Sequence, residues 1–214
     1  MADGDSLRDR LLEAAIRHFG SSGFDGAGTR AIARDCDTPM SSITYHFGGK
    51  EGLYLAVADH IAAGIAGFMD PTIESVRAKG IDSPSDAVDG AVLLIQGLAG
   101  MILDERSEPW ATFIIREQQQ PTAAFDRLYD GVMRRVIETL VLLVRAACPH
   151  RQMQEARADA LLLIGQTLAL RAARAAVCRV LGVHRIDGEV AALLRARIEA
   201  QTRRMLSSNA EISG

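Results

Sequence analysis

The sequence predicts an all-α protein with about nine helices. Apolar residues recur every three or four positions through most of the chain, which is the spacing of one helix face. Prolines and capping residues stand where helices would begin, and no convincing apolar–polar alternation predicts a strand. With 48% hydrophobic residues among 214, the chain can bury a sizeable core. Its length fits one small domain and one larger domain.

The first helix is expected to begin after Asp5 or Ser6, because either side chain can accept a hydrogen bond from a backbone N–H of the first turn. Gly23 is expected to end it. The apolar stripe of this helix consists of Leu12, Ala15, Ile16 and Phe19.

Two short helices joined by a tight turn are predicted between Gly28 and Lys50. Thr29 caps the first of them, and Asp37 stands in the turn, where Asp tolerates the left-handed conformation. Thr38 is expected to cap the second helix, with Pro39 at its first position. The inward side of the first helix carries Ile32, Ala33 and Cys36.

The second of these helices has two different faces. At about 100° per residue, one side carries Met40, Ile43 and Phe47. The opposite side carries Ser41 and Tyr45, flanked by Ser42 and Thr44. A small, hydroxyl-rich face lets a helix approach the DNA major groove, where hydroxyls bond to base edges or phosphates. The pattern over residues 28–47 therefore predicts a helix-turn-helix.

The stretch TRAIA…ITYHFGGKEGLY resembles the N-terminal DNA-binding domain of TetR-family transcriptional regulators. The resemblance covers Leu7 to Ala66 and is most specific from Tyr45 to Leu53. Asp37 and Pro39 depart from the family, which usually has Gly in the turn and often Ser at the cap. Thr44 stands where many relatives have a phosphate-contacting Tyr.

The resemblance implies a DNA-binding domain over residues 1–66. Family members use the lysine at the position of Lys50 to contact phosphate. The resemblance and the helix faces together give the DNA-contact candidates Thr29, Arg30, Thr38, Met40, Ser41, Ser42, Thr44, Tyr45, His46 and Lys50.

The charge of this front portion is unexpectedly balanced. The whole chain has a formal net charge of −3, which argues against a general nucleic-acid coating protein. Up to Lys50 there are six basic residues, Arg8, Arg10, Arg17, Arg30, Arg34 and Lys50. Seven acidic residues oppose them, Asp3, Asp5, Asp9, Glu13, Asp25, Asp35 and Asp37. If the domain binds DNA, helix N-termini and hydroxyls must make many of the phosphate contacts.

Six further helices are expected after this motif. Lys50-Glu51 opens one that runs to about Ala78, and Ser83-Pro84 starts another that runs to about Leu103. Four more helices are predicted. One starts at Pro109-Trp110, one runs from Pro121 to before Pro149, one runs from Met153 to Leu181, and the last starts after Asp187.

Residues 67–214 are predicted to form a ligand-binding and dimerisation domain. The helix containing Leu161–Val180 is apolar around much of its circumference, so it must be buried on several sides. The segments IIREQQQPTAAFDRLYD and LALRAARAAVCRVLG resemble a TetR subgroup with C-terminal domains like those of cephalosporin- and chloramphenicol-sensitivity regulators. The resemblance implies a homodimer through the last two helices; a monomeric core helix is the alternative.

A small-molecule pocket is expected among the middle helices. Its candidate lining residues are Trp110, Phe113, Phe125, Tyr129 and Met133, with Arg116 and Gln166 as polar anchors. Each aromatic residue has the competing interpretation of an ordinary core residue, and Arg116 that of a surface or interdomain salt bridge. If Arg116 faces the pocket, it favours acidic ligands.

The sequence contains no metal-ligand spacing, nucleotide-binding loop or catalytic motif, so we expect no metal and no cofactor. Cys36, Cys148 and Cys178 are predicted to be free thiols in the cytoplasm. The longest apolar runs, Ala91–Leu103 and Leu161–Leu170, are interrupted by Gln and fall short of the ~20 residues of a membrane span, so no membrane partner is expected.

The sequence thus predicts a ligand-responsive regulator, a repressor that binds a palindromic operator in double-stranded DNA as a dimer and is released by a small molecule. Two alternatives from other classes stay open. One is a small helical enzyme with a Cys nucleophile. The other is a helical module that binds protein, which the near-neutral front portion favours.

Overall fold

The computed structural model describes residues 6–207, and every regular element in that range is helical. The all-α prediction is confirmed. A 3₁₀ turn spans Glu105–Ser107 and a π turn spans Tyr129–Met133. The α-helices are α1 (Leu7–Gly26), α2 (Thr29–Asp35), α3 (Ser41–Phe47), α4 (Lys50–Lys79), α5 (Pro84–Leu103), α6 (Glu108–Gln119), α7 (Ala123–Leu128), α8 (Arg134–Ala147), α9 (Met153–Ala172), α10 (Arg174–Leu181) and α11 (Gly188–Ser207).

Two helix starts follow their predicted caps. The Ser6 hydroxyl accepts a hydrogen bond of 3.2 Å from the backbone N–H of Asp9; Asp5, the other candidate, lies outside the described residues. Ser83 accepts from the backbone N–H of Asp86 at 3.2 Å, and Pro84 occupies the first position of α5. These local hydrogen bonds satisfy N–H groups that have no partner inside the helix.

Gly23 bends α1 instead of ending it. Its φ of 73° and ψ of −179° are not helical, yet helical hydrogen bonding resumes as far as Gly26. This backbone region is essentially restricted to glycine. The Arg116 side chain also packs against this point, because a Cβ built on Gly23 would lie 2.8 Å from Arg116 Nη1. The predicted stop is therefore a kink.

The described residues contain eleven α-helices instead of about nine, because two predicted helices are divided. The helix predicted from Pro121 begins at Ala123 and is interrupted by the π turn before α8. The helix predicted from Met153 to Leu181 breaks at Ala173, where φ is −108° and ψ is 26°, and α9 and α10 differ in direction by 81°. The Arg171 guanidinium, bonded to the carbonyls of Ile102 and Asp104, holds the end of α9 beside this break.

The chain divides into two compact units. Unit 1 comprises residues up to Gly64 together with Glu108–Val132, and unit 2 comprises Ile65–Ser107 and Met133 onward. In unit 1, α1 packs on α2 and α6. The Tyr54 ring meets Phe19 edge-on at 4.8 Å between centroids and Phe113 at 5.0 Å. The predicted boundary at residue 66 between a DNA-binding domain and a ligand-binding domain stays a prediction, because a division into compact units does not show what each unit binds.

In unit 2, α5 packs against α8, α9 and α11. Gly90 permits this close approach, because a Cβ there would lie 2.7 Å from Leu143 Cδ2.

By length and composition, α4 and α5 could each cross a membrane, as could the bent pair α9–α10 taken together. The expectation that no apolar segment is long enough to span a membrane was wrong, because the helices continue beyond the uninterrupted apolar runs on which that expectation was based. More than half of the apolar window of α5, 56%, is buried inside the structure.

Candidate nucleic-acid interface

A left-handed turn joins α2 to α3. Asp37 has φ 51°, and the backbone N–H of Thr38 donates to the Ala33 carbonyl at 3.0 Å. The prediction of this conformation for Asp37 is confirmed. Below the turn, the predicted inward residues Ile32, Ala33 and Cys36 are all buried, and α3 adds Ile43. These residues hold the two short helices on the core of unit 1.

α3 begins two residues later than predicted. It starts at Ser41, and the Thr38 hydroxyl contacts the Ser42 hydroxyl at 2.8 Å instead of capping the helix. Met40 precedes the helix and is 45% exposed, so its predicted place on the buried side was wrong. Phe47 is half-buried and lies under the Arg8 guanidinium, 5.5 Å from the ring centroid. Among the three predicted apolar residues, only Ile43 is buried.

The opposite face of α3 is open to solvent. Tyr45 is 85% exposed, and its ring meets the His46 ring edge-on at 5.0 Å. Ser41, Thr44 and His46 are exposed, and Ser42 is half-buried. This places a tyrosine, an imidazole and two hydroxyls on an accessible surface backed by buried Ile43.

A groove of about 510 Å³ lies beside the start of α3. Arg30 and Arg34, both exposed, line it together with Thr38 and Met40. Thr29 is half-buried and is the first residue of α2; Gly28 occupies the cap position without a side-chain hydrogen bond, so the prediction that Thr29 caps the helix was wrong. The predicted residues of α2 and α3 thus lie close together, and the groove contributes two guanidinium groups to a domain with little net charge.

Lys50 is folded against its own chain. Its Nζ donates to the Asp25 carbonyl at 3.3 Å and lies 4.8 Å from the centroid of the Phe24 ring. An ammonium group is attracted to the face of an aromatic ring. To contact phosphate, the lysine would have to leave these partners.

A side-chain hydrogen bond links α1 to α2. His18 Nε2 lies 2.7 Å from Asp35 Oδ2. The hydrogen bond from His18 holds the pKa of the Asp35 carboxyl below its usual value. The contact engages Asp35, one of the acidic residues of the front portion whose negative charge repels DNA.

A buried hydrogen-bond network that the sequence did not predict joins α4 to α6. The Tyr54 hydroxyl donates to Glu117 Oε1 at 2.5 Å. The backbone N–H and the hydroxyl of Thr122 donate to Glu117 Oε2 at 3.1 and 2.9 Å. Burial, and then the bond to Glu117, raise the pKa of Tyr54. The detectable signal was Glu117 itself, which falls four residues after Phe113 on an inward helix face.

The seven predicted ligand-binding residues are divided between the two units. Phe113 has no exposed surface and packs on Tyr54, so it is a core residue. Trp110 contacts Gly64, and Phe125 stacks on Tyr129 at 6.0 Å. Met133 and Gln166 belong to unit 2, where Gln166 donates to the Thr202 hydroxyl at 3.3 Å.

Arg116, the predicted polar anchor, bonds to the end of α1. Its Nη2 donates to the carbonyls of Gly20 and Ser21 at 3.5 and 3.3 Å. Arg116 also lines a cavity of about 650 Å³ in unit 1, whose wall includes none of the other six candidates.

The described residues contain no group of three or more His, Cys, Asp or Glu residues that could hold a metal ion. All three cysteines are free thiols. Cys36 donates to the Arg10 carbonyl and Cys148 to the Leu206 carbonyl, and burial raises the pKa of both thiols. A raised pKa lowers the thiolate fraction and so the reactivity of a cysteine.

Two family models match the chain. The model of bacterial regulatory proteins of the tetR family matches residues 11–57, which include α2, the turn and α3. The model of the C-terminal domain of the HTH-type transcriptional dual regulator CecR matches residues 92–208, more than half of the chain. The chain belongs to the TetR family. Both parts of the predicted resemblance are confirmed.

Relatives of known sequence agree with this family membership. The chain is 29% identical to the HTH-type transcriptional dual regulator CecR of Shigella flexneri over 203 residues, which cover 91% of the chain and 89% of that protein. It is 28% identical to the HTH-type transcriptional repressor AcnR of Corynebacterium efficiens over 123 residues, about half of each protein. These relatives are named as transcriptional regulators, and we conclude that this TetR-family chain is a DNA-binding regulator and not an enzyme.

Solved TetR-family structures share the fold. A TetR-like transcriptional regulator from Rhodococcus sp. RHA1 is 20% identical with a TM-score of 0.65, covering 94% of this chain and 96% of that one. AibR, solved in complex with isovaleryl coenzyme A and operator DNA, is 14% identical with a TM-score of 0.66, covering 94% and 97%. At these identities the likeness concerns the fold alone.

Proposed function

We propose that this TetR-family regulator represses transcription by binding a palindromic operator as a homodimer in the cytoplasm, and that a small molecule releases it. The observation that carries the proposal is the exposed face of α3, on which Tyr45 is 85% accessible above buried Ile43. A helix with small polar residues facing outward fits the width of the major groove.

We assign base contacts to the exposed side of α3 and backbone contacts to its flanks. Ser41, Thr44, Tyr45 and His46 are exposed on α3. Arg30, Thr38 and Met40 line the neighbouring groove, while Thr29 and Lys50 begin α2 and α4. Phosphate contacts orient the protein, and groove contacts supply the sequence preference. Because few cations are available, we expect operator affinity to depend only weakly on salt concentration.

The dimer interface is proposed on the last three helices. Seven large apolar side chains there are exposed in the single chain: Met153, Leu161, Leu162, Leu168, Val180, Leu181 and Leu193. Exposed apolar residues concentrated on neighbouring helices indicate a protein interface more often than a bare surface. A two-fold dimer would present two copies of α3 to half-sites about 34 Å apart.

The effector is proposed to bind among the middle helices and to tilt α4, which begins at Lys50 directly after the recognition helix. A tilt would change the separation of the two recognition helices. A 100-fold loss of operator affinity requires only about 2.7 kcal/mol of differential binding between the two states. AibR, which shares the fold, was solved in complex with isovaleryl coenzyme A and operator DNA, so a protein of this fold can bind both a small molecule and an operator.

Selection from random double-stranded DNA with the purified chain tests the proposal. We expect enrichment of an inverted repeat whose half-sites are about one helical turn apart. Enrichment of a single, non-palindromic site would contradict dimeric binding. The alternative of a protein-interaction module would be favoured if no DNA sequence is enriched and if the chain binds a partner protein equally well at low and high salt.

A further inference from the structure

A cavity of about 650 Å³ lies within unit 1, away from the exposed face of α3. Its wall is built from the end of α1, the first turns of α4, the end of α6 and the turn that leads to α7. Small-molecule sites in proteins typically measure about 300–1,000 Å³. The cavity is therefore large enough for an organic ligand.

Two aromatic rings form part of this wall. Phe24 and Tyr54 meet edge-on with their centroids 5.1 Å apart. The Phe24 ring already attracts a cation, because Lys50 Nζ lies 4.8 Å from its centroid. The same ammonium group donates to the backbone carbonyl of Asp25. This edge of the cavity thus already holds one ammonium group, which a ligand cation would have to displace from the ring.

The charged residues of the wall are mainly acidic. Asp25 and Glu51 are exposed, and their carboxylates make no hydrogen bond or ion pair within residues 6–207. Glu117 is also acidic, but Tyr54 and Thr122 already satisfy its oxygens. Two carboxylates therefore remain available to a ligand.

The cation in the wall, Arg116, is largely engaged elsewhere. Its Nη2 donates to two carbonyls at the end of α1, and it forms no ion pair with Asp25 or Glu51 among the described residues. Its Nε is buried without a hydrogen-bond partner among the described residues. An unpaired buried N–H is unfavourable and is available to an acceptor atom.

We propose that this cavity binds an organic cation, a protonated amine or a quaternary ammonium group carried on an aromatic or aliphatic body. The body packs on Phe24 and Tyr54, the positive charge lies near Asp25 and Glu51, and an acceptor atom of the ligand can take the free N–H of Arg116. This chemistry is opposite to the acidic ligand that Arg116 alone suggested. The site does not depend on the operator or on the effector proposed above.

Isothermal titration calorimetry with benzyltrimethylammonium tests the proposal on the full chain without DNA. The chain is expected to bind this cation and to bind phenylacetate, an anion of similar size, more weakly. The double variant Asp25→Asn, Glu51→Gln should lose about tenfold in affinity for the cation, since it removes two exposed carboxylates that each attract the bound charge weakly. The matched control Glu13→Gln, Asp126→Asn removes two exposed carboxylates of unit 1 outside the cavity and should bind as the unmodified chain does.

Three results would overturn the proposal: no heat of binding with benzyltrimethylammonium, tighter binding of phenylacetate, or equal losses in both double variants. Equal losses would indicate a general attraction to a negative surface. Because all four substituted residues are exposed, thermal melting should show that both variants remain folded.

Discussion

The Tyr54 hydroxyl donates a hydrogen bond of 2.5 Å to Glu117, a carboxylate that is almost completely buried. The two residues are 63 positions apart in sequence and connect α4 with α6 inside unit 1. A buried carboxylate must be hydrogen-bonded to be tolerated, and Tyr54 supplies one of three donors. The pair therefore stabilises the connection between α4 and α6 inside unit 1.

Replacing Tyr54 by Phe should lower the free energy of unfolding by about 1.5–3 kcal/mol, because the bond to a charged group is lost and Glu117 keeps an unpaired oxygen. Urea denaturation measures the change. Tyr45→Phe removes a hydroxyl from an exposed ring and serves as the control, with no expected effect. Equal stability of the two variants would contradict a structural role for the Tyr54–Glu117 bond.

The same pair predicts a loss of stability at high pH. Burial and the bond to Glu117 raise the pKa of Tyr54 in the folded chain above its usual value of about 10. A raised pKa contributes stability that is complete below the pKa of the unfolded state and declines as the pH rises above it. The stability difference between the unmodified chain and Tyr54→Phe should thus shrink above about pH 10 in urea titrations. A difference that stays constant from pH 8 to about pH 11 would show that Tyr54 does not titrate as proposed.

Gly23→Ala should destabilise the chain more than Gly48→Ala, although both glycines have positive φ. Gly23 has φ 73° and ψ −179°, a region that costs other residues about 1–3 kcal/mol, and its new Cβ would meet Arg116 Nη1 at 2.8 Å. Gly48 has φ 76° and ψ 4° with no neighbour within 4 Å, so Ala there should cost only about 1 kcal/mol. Urea denaturation of both variants decides the order, and the reverse order would mean that α1 has no kink at Gly23.

The proposed dimer predicts that Leu161→Arg combined with Leu193→Arg converts the protein to a monomer in sedimentation velocity. Both side chains are more than half exposed on α9 and α11. Placing two charges at an apolar interface leaves them without solvent or partners. Leu142→Arg, on the exposed side of α8, should leave the dimer intact. A double variant that sediments as the unmodified dimer would remove these helices from the interface.

Local features of the fold could be predicted because their causes lie within a few residues. Ser83, Pro84 and Asp86 define the start of α5 through one cap, and Asp37 adopts the left-handed turn that its side chain tolerates. The break at Ala173 could not be predicted, since neither glycine nor proline marks it. The Arg171 contacts beside that break reach residues about 70 positions earlier.

The same distinction between local and long-range causes applies to the candidate site. Helical periodicity placed Tyr45 outward and Ile43 inward, and both placements are correct. The contacts of Lys50 with Phe24 and Asp25 depend on how α1 and α4 pack, which a local pattern does not encode. The ligand-binding candidates were chosen as large residues at helical spacing, and the same spacing produces core residues such as Phe113.

Gel-shift titration of Tyr45→Ala on the selected operator tests the central claim, that the exposed face of α3 enters the major groove. Tyr45 is 85% exposed, so its removal should leave the melting temperature unchanged. Loss of one groove contact should weaken operator binding by about 5- to 150-fold, which corresponds to about 1–3 kcal/mol. Leu142→Ala, at an exposed site on α8, should bind as the unmodified chain does. Unchanged operator affinity of Tyr45→Ala would contradict the proposed role of this face.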